Sequence, residues 1–249
     1  MFSTKLSPMN TPIKAAEDYV NKFVMQDTPE LVVLTGSASL GYMTETSDID
    51  LCIIGKYPKR FIRKPVPDYT HLLKYPEEFE GYAFEVEYQT KRGIQTVMRN
   101  VLSFHDWKFK NSVFLGGKRE LFEQMQKPMK NDELVRGRVR LYHGVLDILW
   151  RVTTPIEHRL ALARASQMLI QLVFLINEQP IPSEKWMMNE YKKLAFQPEG
   201  LLNDIQMTLE EGKVDHIQQA HRKLGIYLKT HRLIPELDIQ YIEHMGFEK

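Results

Sequence analysis

The 249-residue chain is predicted to be an α+β protein: an N-terminal mixed sheet with flanking helices, followed by a C-terminal helical bundle. Three observations predict this. Short runs of β-branched and aliphatic residues, bounded by Gly, Pro, Ser or Thr, are confined to the first half of the chain. Beyond about Leu121 the apolar residues instead recur at intervals of three and four, the spacing of packed helices. The composition, 43% apolar and 26% charged, is that of a globular protein long enough for one large domain or two ordinary ones. The predicted division is residues 1–120 and 121–249, with no flexible linker between them and a substrate cleft where the halves meet.

Thr11-Pro12 starts the first helix, Thr as cap and Pro at the first helical position, and Ile13, Ala16, Val20, Phe23 and Val24 form its apolar stripe. After Thr28-Pro29, Leu31 to Leu34 is a strand. Thr35-Gly36-Ser37-Ala38-Ser39 is a tight small-residue turn leading into a short helix, and Asp48-Ile49-Asp50 opens a second strand that ends at Gly55. Lys56 to Tyr75, rich in Lys, Arg and Pro, reads as irregular. Tyr82 to Thr90 alternates as a strand, Ile94 to Phe104 reads as a helix, and Ser112 to Leu115 as a short edge strand before Gly116-Gly117. Helices are predicted over Leu134 to Val152, Ile156 to Asn177, Lys185 to Phe196, Leu201 to Glu211 and Val214 to Thr230. Leu141, Val145, Ile148 and Leu149 make the core face of the first of these, and Leu160, Ala163, Gln167, Ile170 and Phe174 that of the second. Pro180 and Pro182 break the chain between helices, and Ser183 caps the next one.

Composition excludes several function classes. A net charge of +1 and a pI near 7.8 give no general electrostatic case for nucleic-acid binding. The basic stretch from Lys56 to Lys64 reads as a solvated loop rather than as a phosphate-binding patch. The single Cys52 has no disulfide partner within the chain and reads as a small buried hydrophobe, which fits a reducing cytoplasm. No signal-peptide pattern opens the chain, and the longest apolar run, Met168 to Ile176, is interrupted by Gln171 and is shorter than the roughly 20 residues a bilayer needs. No His or Cys pair has zinc-ligand spacing.

The chemistry is concentrated between Leu31 and Ile54. A strand alternates its faces, so Asp48 and Asp50 point one way and Ile49 and Leu51 the other, which sets the two carboxylates about 7 Å apart along one face. That arrangement is unfavourable in a core and suited to a divalent metal. Gly36 allows backbone to approach a phosphate closely, and Ser37 adds a donor. Gly-Ser twelve residues before Asp-apolar-Asp therefore pairs a phosphate cradle with a metal site.

These residues resemble the nucleotidyltransferase superfamily that includes DNA polymerase beta. Its pattern is an apolar strand, Gly-Ser or Gly-Gly, about a dozen residues, then Asp-apolar-Asp, with a third acid on a later strand. The resemblance covers roughly the first 90 residues. Length and helical second half are most similar to the small-molecule members, which include enzymes that adenylylate aminoglycosides and lincosamides. The resemblance implies a metal set of Asp48 and Asp50 with a third acid, for which Glu85 and Glu87 are both candidates on one strand face; Glu85, in Phe84-Glu85-Val86 with strand residues after it, fits the pattern better. Asp48, Asp50 and Glu85 are then the catalytic acids, Gly36 and Ser37 bind the nucleotide phosphates, and Ser39 and Ser47 take secondary parts. Lys185 of the Lys185-Trp186 pair, after a Pro-containing turn, is a further phosphate ligand.

The implied activity is Mg²⁺-dependent transfer of AMP from ATP, through two metal ions, to a hydroxyl of a small molecule, an antibiotic among the candidates, in the cytoplasm and with neither membrane nor nucleic acid as partner. Asp147, Glu157, Glu178 and Glu190 are the helical-half candidates for the base that accepts the hydroxyl proton, and Trp186 and Tyr191 those for stacking on the acceptor. Two rival readings are a non-catalytic, antitoxin-like nucleotide-binding module of the same fold, and nucleotidylation of a protein or an RNA end. The oligomeric state is left open.

Overall fold

A computed structural model describes residues 11–56, 75–98, 100–150 and 154–235. It divides into two compact units: Met1–Arg99 with His105–Lys127, and Asn100–Phe104 with Pro128–Lys249. The basic stretch beyond Lys56 lies outside the described residues.

The first unit is built on a five-stranded mixed sheet. Its strands are β1 (Leu31–Thr35), β2 (Ile49–Ile54), β3 (Glu78–Phe79), β4 (Tyr82–Gln89) and β5 (Val113–Gly117), in the order β3-β4-β2-β1-β5. β2 lies in the middle of the sheet, antiparallel to β1 and parallel to β4. Burial on both faces explains why Leu31–Thr35 and Leu51–Ile54 are nearly continuous apolar runs. One face packs Val32, Leu34, Ile49, Leu51, Ile53, Phe84 and Val86 against the N-terminal helix. The other packs Leu31, Val33, Cys52 and Ile54 with Ile94, Phe109, Leu121 and Met125.

Helix α1 (Pro12–Tyr19) begins as its sequence dictates: Thr11 Oγ1 accepts from the Lys14 amide at 3.3 Å, and Pro12 fills the first position. Ala16, Val20 and Val24 of the predicted stripe are buried and Phe23 packs beside them, joined by Ala15 and Tyr19, whereas Ile13 is exposed; a π-turn runs over Val20–Val24. Tyr19 stacks on Phe84, ring centroids 4.0 Å apart, which ties this helix to β4. The small residues after β1 are themselves the short helix α2 (Gly36–Leu40). Helix α3 (Lys91–Met98) starts earlier than the apolar pattern predicts, since Thr90 accepts from the Gly93 amide and sets its first turn. Helix α4 (Phe104–Lys110) has no amphipathic run long enough to be read from sequence. Helix α5 (Arg119–Met125) lies past the predicted strand region yet packs Leu121 and Met125 onto the sheet.

The second unit is helical: α6 (Asn131–Trp150), α7 (Pro155–Ile176), α8 (Glu184–Tyr191), α9 (Leu201–Glu211) and α10 (Val214–Thr230). α7 opens with a capping box in which Thr154 and Glu157 satisfy each other's backbone amides. By length and hydropathy α7 could cross a membrane, but eleven of its residues are buried in the core of this unit. Its core face is Ala161, Leu162, Ala165, Leu169, Leu172 and Val173; Leu160 and Ala163, predicted inside, are exposed. The helix is apolar on more than one side, so its period alone does not select the buried stripe.

Two polar devices close this core. Arg138, 1% exposed, donates twice to the Leu175 carbonyl (3.0 and 2.8 Å), a last-turn acceptor that also takes the Glu178 amide at 3.1 Å. His221, also buried, stacks on Tyr142 and donates from Nε2 to its carbonyl oxygen at 2.9 Å. Burial pushes the His221 imidazole down to about 4 from its ordinary 6.5. The unfolded chain therefore binds the proton more readily, and the contribution of neutral His221 is complete above about pH 6.5 and lost as pH falls towards 4. Roughly 3 kcal/mol is at stake across that window. Urea titrations between about pH 7 and pH 5 are expected to show a steeper loss of stability in the wild type than in His221→Gln; parallel slopes would count against this assignment.

Candidate active site

The site is assembled by strand register. Asp50, the second residue of β2, is paired with Thr35 at the end of β1 on one side and with Glu85 of β4 on the other. Parallel pairing in register projects both carboxylates from the same sheet face. Asp48, two residues before Asp50, joins them. One carboxylate oxygen from each of Asp48, Asp50 and Glu85 lies within 4.8 Å of the others, with the two aspartates half-buried and the glutamate exposed. An octahedral Mg²⁺ at about 2.1 Å from its ligands spans about 4.2 Å between opposite oxygens, so the spread suits oxygen ligands shared over one or two such ions. The donor set, carboxylate only, favours Mg²⁺ or Mn²⁺ over zinc or copper.

The turn after β1 meets the same carboxylates. Gly36 has φ +68°, and a Cβ there would stand 1.8 Å from Asp50 Oδ2. The Asp50 carboxylate thus rests directly on the Gly36 backbone, which only glycine allows. Ser37 is buried at the start of α2, and its carbonyl accepts from the Tyr42 amide at 2.9 Å. Ser39 turns its hydroxyl back to the Gly36 carbonyl (2.9 Å). Ser47 Oγ accepts from the Thr44 amide (3.0 Å), ordering the loop that delivers Asp48. Both secondary serines thus have local structural partners.

Glu85 and Glu87 share a strand face, as predicted, but tertiary contacts separate them. Glu85 joins the aspartates, whereas Glu87, in register with Cys52, is bound by Lys108 of α4 at 2.7 Å and by the Gln89 side-chain amide. Glu87 is not one of the three clustered acids. Burial opposes both charges of the Lys108 pair, yet the ammonium holds Glu87 below the usual carboxylate range and Glu87 holds Lys108 above the usual lysine range. Cys52 is fully buried and, by that burial and then by Glu87, its thiol is pushed up to about 12. Lys108 is the contributor that sequence reading missed, because nothing in the motif points forward to a helix more than a dozen residues beyond β4.

Residues 17–117 match the family model described as the nucleotidyltransferase domain. The chain carries a nucleotidyltransferase domain. That segment spans all five strands, so the acidic cluster and the Gly36 turn both lie within the nucleotidyltransferase domain, and the protein is an enzyme of this class. No curated protein matches the sequence. Among solved structures, a nucleotidyltransferase-like protein from Exiguobacterium sibiricum 255-15 aligns over 86% of this chain and 80% of its own, at 12% identity and a TM-score of 0.40.

The remaining predicted residues fall in the helical unit. Lys185 is exposed on α8, its ammonium 5.0 Å from the ring centroid of Trp186, and Ser183 precedes that helix without a side-chain cap. Tyr191, expected to stack on an acceptor, is instead a core residue, 1% exposed and edge-on to Phe174. Of the candidate bases, Glu157 is occupied as the capping-box carboxylate of α7, Glu190 pairs with Lys193 at 2.8 Å, and Asp147 and Glu178 are exposed.

Proposed function

We propose that the protein transfers AMP from ATP, with Mg²⁺, to a hydroxyl of a small cytoplasmic molecule. The observation that carries this reading is the register Thr35–Asp50–Glu85, which with Asp48 two residues earlier brings three carboxylates together beside the Gly36 turn. Nucleotidyl transfer asks the protein mainly to align a hydroxyl behind the α-phosphorus and to neutralise charge. Bound Mg²⁺ would supply charge neutralisation for the attacking and leaving oxygens. Asp48, Asp50 and Glu85 are the residues to hold it, and Glu85, exposed at the open side of the cluster, suits a shared or second ion. Gly36 and Ser37 orient the triphosphate, while the loop bonds of Ser47 and the turn bond of Ser39 keep acids and turn in place. The retained acids favour catalysis over an antitoxin-like binding role. The helical unit is assigned the choice of acceptor, with polyhydroxyl antibiotics such as aminoglycosides and lincosamides as first candidates, on the family resemblance.

Incubating the protein with Mg²⁺ and each of ATP, GTP, CTP and UTP against an acceptor panel, with pyrophosphate as readout, tests the assignment. Acceptor-dependent pyrophosphate from ATP is expected. Release from none of the four nucleotides with any acceptor would leave the non-catalytic module as the better reading. The same arrangement predicts metal-coupled nucleotide binding, because triphosphate and clustered acids repel without a cation between them. By calorimetry, ATP is expected to bind at least about tenfold more weakly in EDTA than in Mg²⁺. Equal affinity in the two buffers would remove the metal from nucleotide binding.

A further inference from the structure

We infer that Lys108 sets the ligand count of the metal site by withdrawing Glu87 from it, so that Lys108 is a positioning residue for the nucleotidyltransferase reaction. The inference rests on the metal reading above and concerns residues outside the three clustered acids. Glu87 follows Glu85 on the same face of β4, about 7 Å along the strand. A glutamate at that distance has a side chain long enough to turn towards Asp50 and Glu85. It is held away instead: Lys108 Nζ takes one carboxylate oxygen at 2.7 Å and the Gln89 side-chain amide takes the other. The pair is well sheltered, with 22% and 29% of the two side chains exposed, and a sheltered ion pair is costly to break from one side.

The anchor of Lys108 is firm. Its neighbours Trp107 and Phe109 are buried, and the Phe109 carbonyl accepts from Ser112 Oγ (2.6 Å) and Gln126 Nε2 (2.9 Å), which fastens the end of α4. Holding the fourth carboxylate back has a chemical reason. Mg²⁺ in such sites keeps coordination positions for substrate phosphates and is bound by few carboxylates. A fourth carboxylate would tighten the metal in the absence of nucleotide and compete with the triphosphate for the positions it must fill.

Mn²⁺ alone, followed by electron paramagnetic resonance on the full chain, is the probe, with ATP binding in Mn²⁺ as a second readout. Lys108→Met is expected to tighten nucleotide-free Mn²⁺ binding about tenfold, through the freed Glu87 charge, and to weaken ATP binding in Mn²⁺. Lys108→Met/Glu87→Gln is expected to return both to wild-type values, and Lys108→Arg to leave both near wild type. Glu87→Gln, which keeps the volume but leaves Lys108 without its carboxylate and is therefore checked for folding by its thermal midpoint, is expected to leave the Mn²⁺ dissociation constant within about twofold, whereas Glu85→Gln weakens it about tenfold or more. Should Lys108→Met prove unfolded, the Glu87→Gln arm decides alone: a tenfold weakening there makes Glu87 a ligand and overturns the inference. A Lys108→Met effect that persists in the double variant overturns it too, as a fold effect. Failure of the wild type to bind Mn²⁺, or indifference to Glu85→Gln, would instead overturn the metal reading itself.

Discussion

Asp50→Asn is expected to lower nucleotidyl transfer by about three orders of magnitude at saturating Mg²⁺, with Asp48→Asn close behind and the fold intact in both. A thousandfold is about 4 kcal/mol of transition-state stabilisation. That is the scale expected when a metal-holding carboxylate is lost in a reaction whose catalysis is chiefly charge neutralisation. Asp50 is the more sensitive position because it meets every part of the site. It is paired with Thr35 and Glu85 in the sheet, clusters with Asp48 and Glu85, and rests on the Gly36 backbone. Asn is isosteric and leaves the ladder bonds of β2 untouched, so the sheet has no reason to unfold. Circular dichroism and thermal midpoints near those of the wild type should accompany the kinetic loss. Turnover within about tenfold of wild type in either variant would refute the metal assignment.

Gly36→Ala is expected to be nearly as damaging, by a different route. At φ +68° an L residue already costs roughly 1–2 kcal/mol, and the added methyl would overlap Asp50 Oδ2 at 1.8 Å. Either the turn or the Asp50 carboxylate must move, and a displacement near 1 Å in a reacting constellation can cost about a hundredfold in rate. Gly41 provides the control. It also has positive φ, +72°, but a Cβ at this position would meet nothing within 4 Å. Gly41→Ala should therefore carry the backbone cost of about 1–2 kcal/mol with transfer activity largely kept. Measuring kcat and Mn²⁺ affinity for both variants separates the two contributions. Equal losses would mean that backbone strain alone, and not contact with Asp50, explains the glycine at position 36.

Much of this protein was legible in sequence because the decisive signals are local. Leu31 to Leu34 and Leu51 to Ile54 are continuous apolar runs since both faces of the central strands are buried. Helices α9 and α10 were predicted at their observed ends, where Gly200, Gly212 and the flanking polar residues interrupt the apolar period. Gly36, Asp48 and Asp50 were recognisable because the glycine turn and the acidic strand are separated by only a dozen residues. Three features were decided only in three dimensions. The inward placement of Tyr19 in the first helix follows from its stacking on Phe84 of β4, a contact that residue spacing does not announce. The exposed start of α7, with Leu160 at 65%, follows from which neighbours pack on a helix apolar around much of its circumference. The division of labour between Glu85 and Glu87 depends on Lys108, twenty-one residues beyond Glu87, being brought back over the sheet by α4. Alternation along β4 gives the two glutamates the same direction; only a charge from elsewhere in the chain makes one a member of the acidic cluster and the other half of an ion pair.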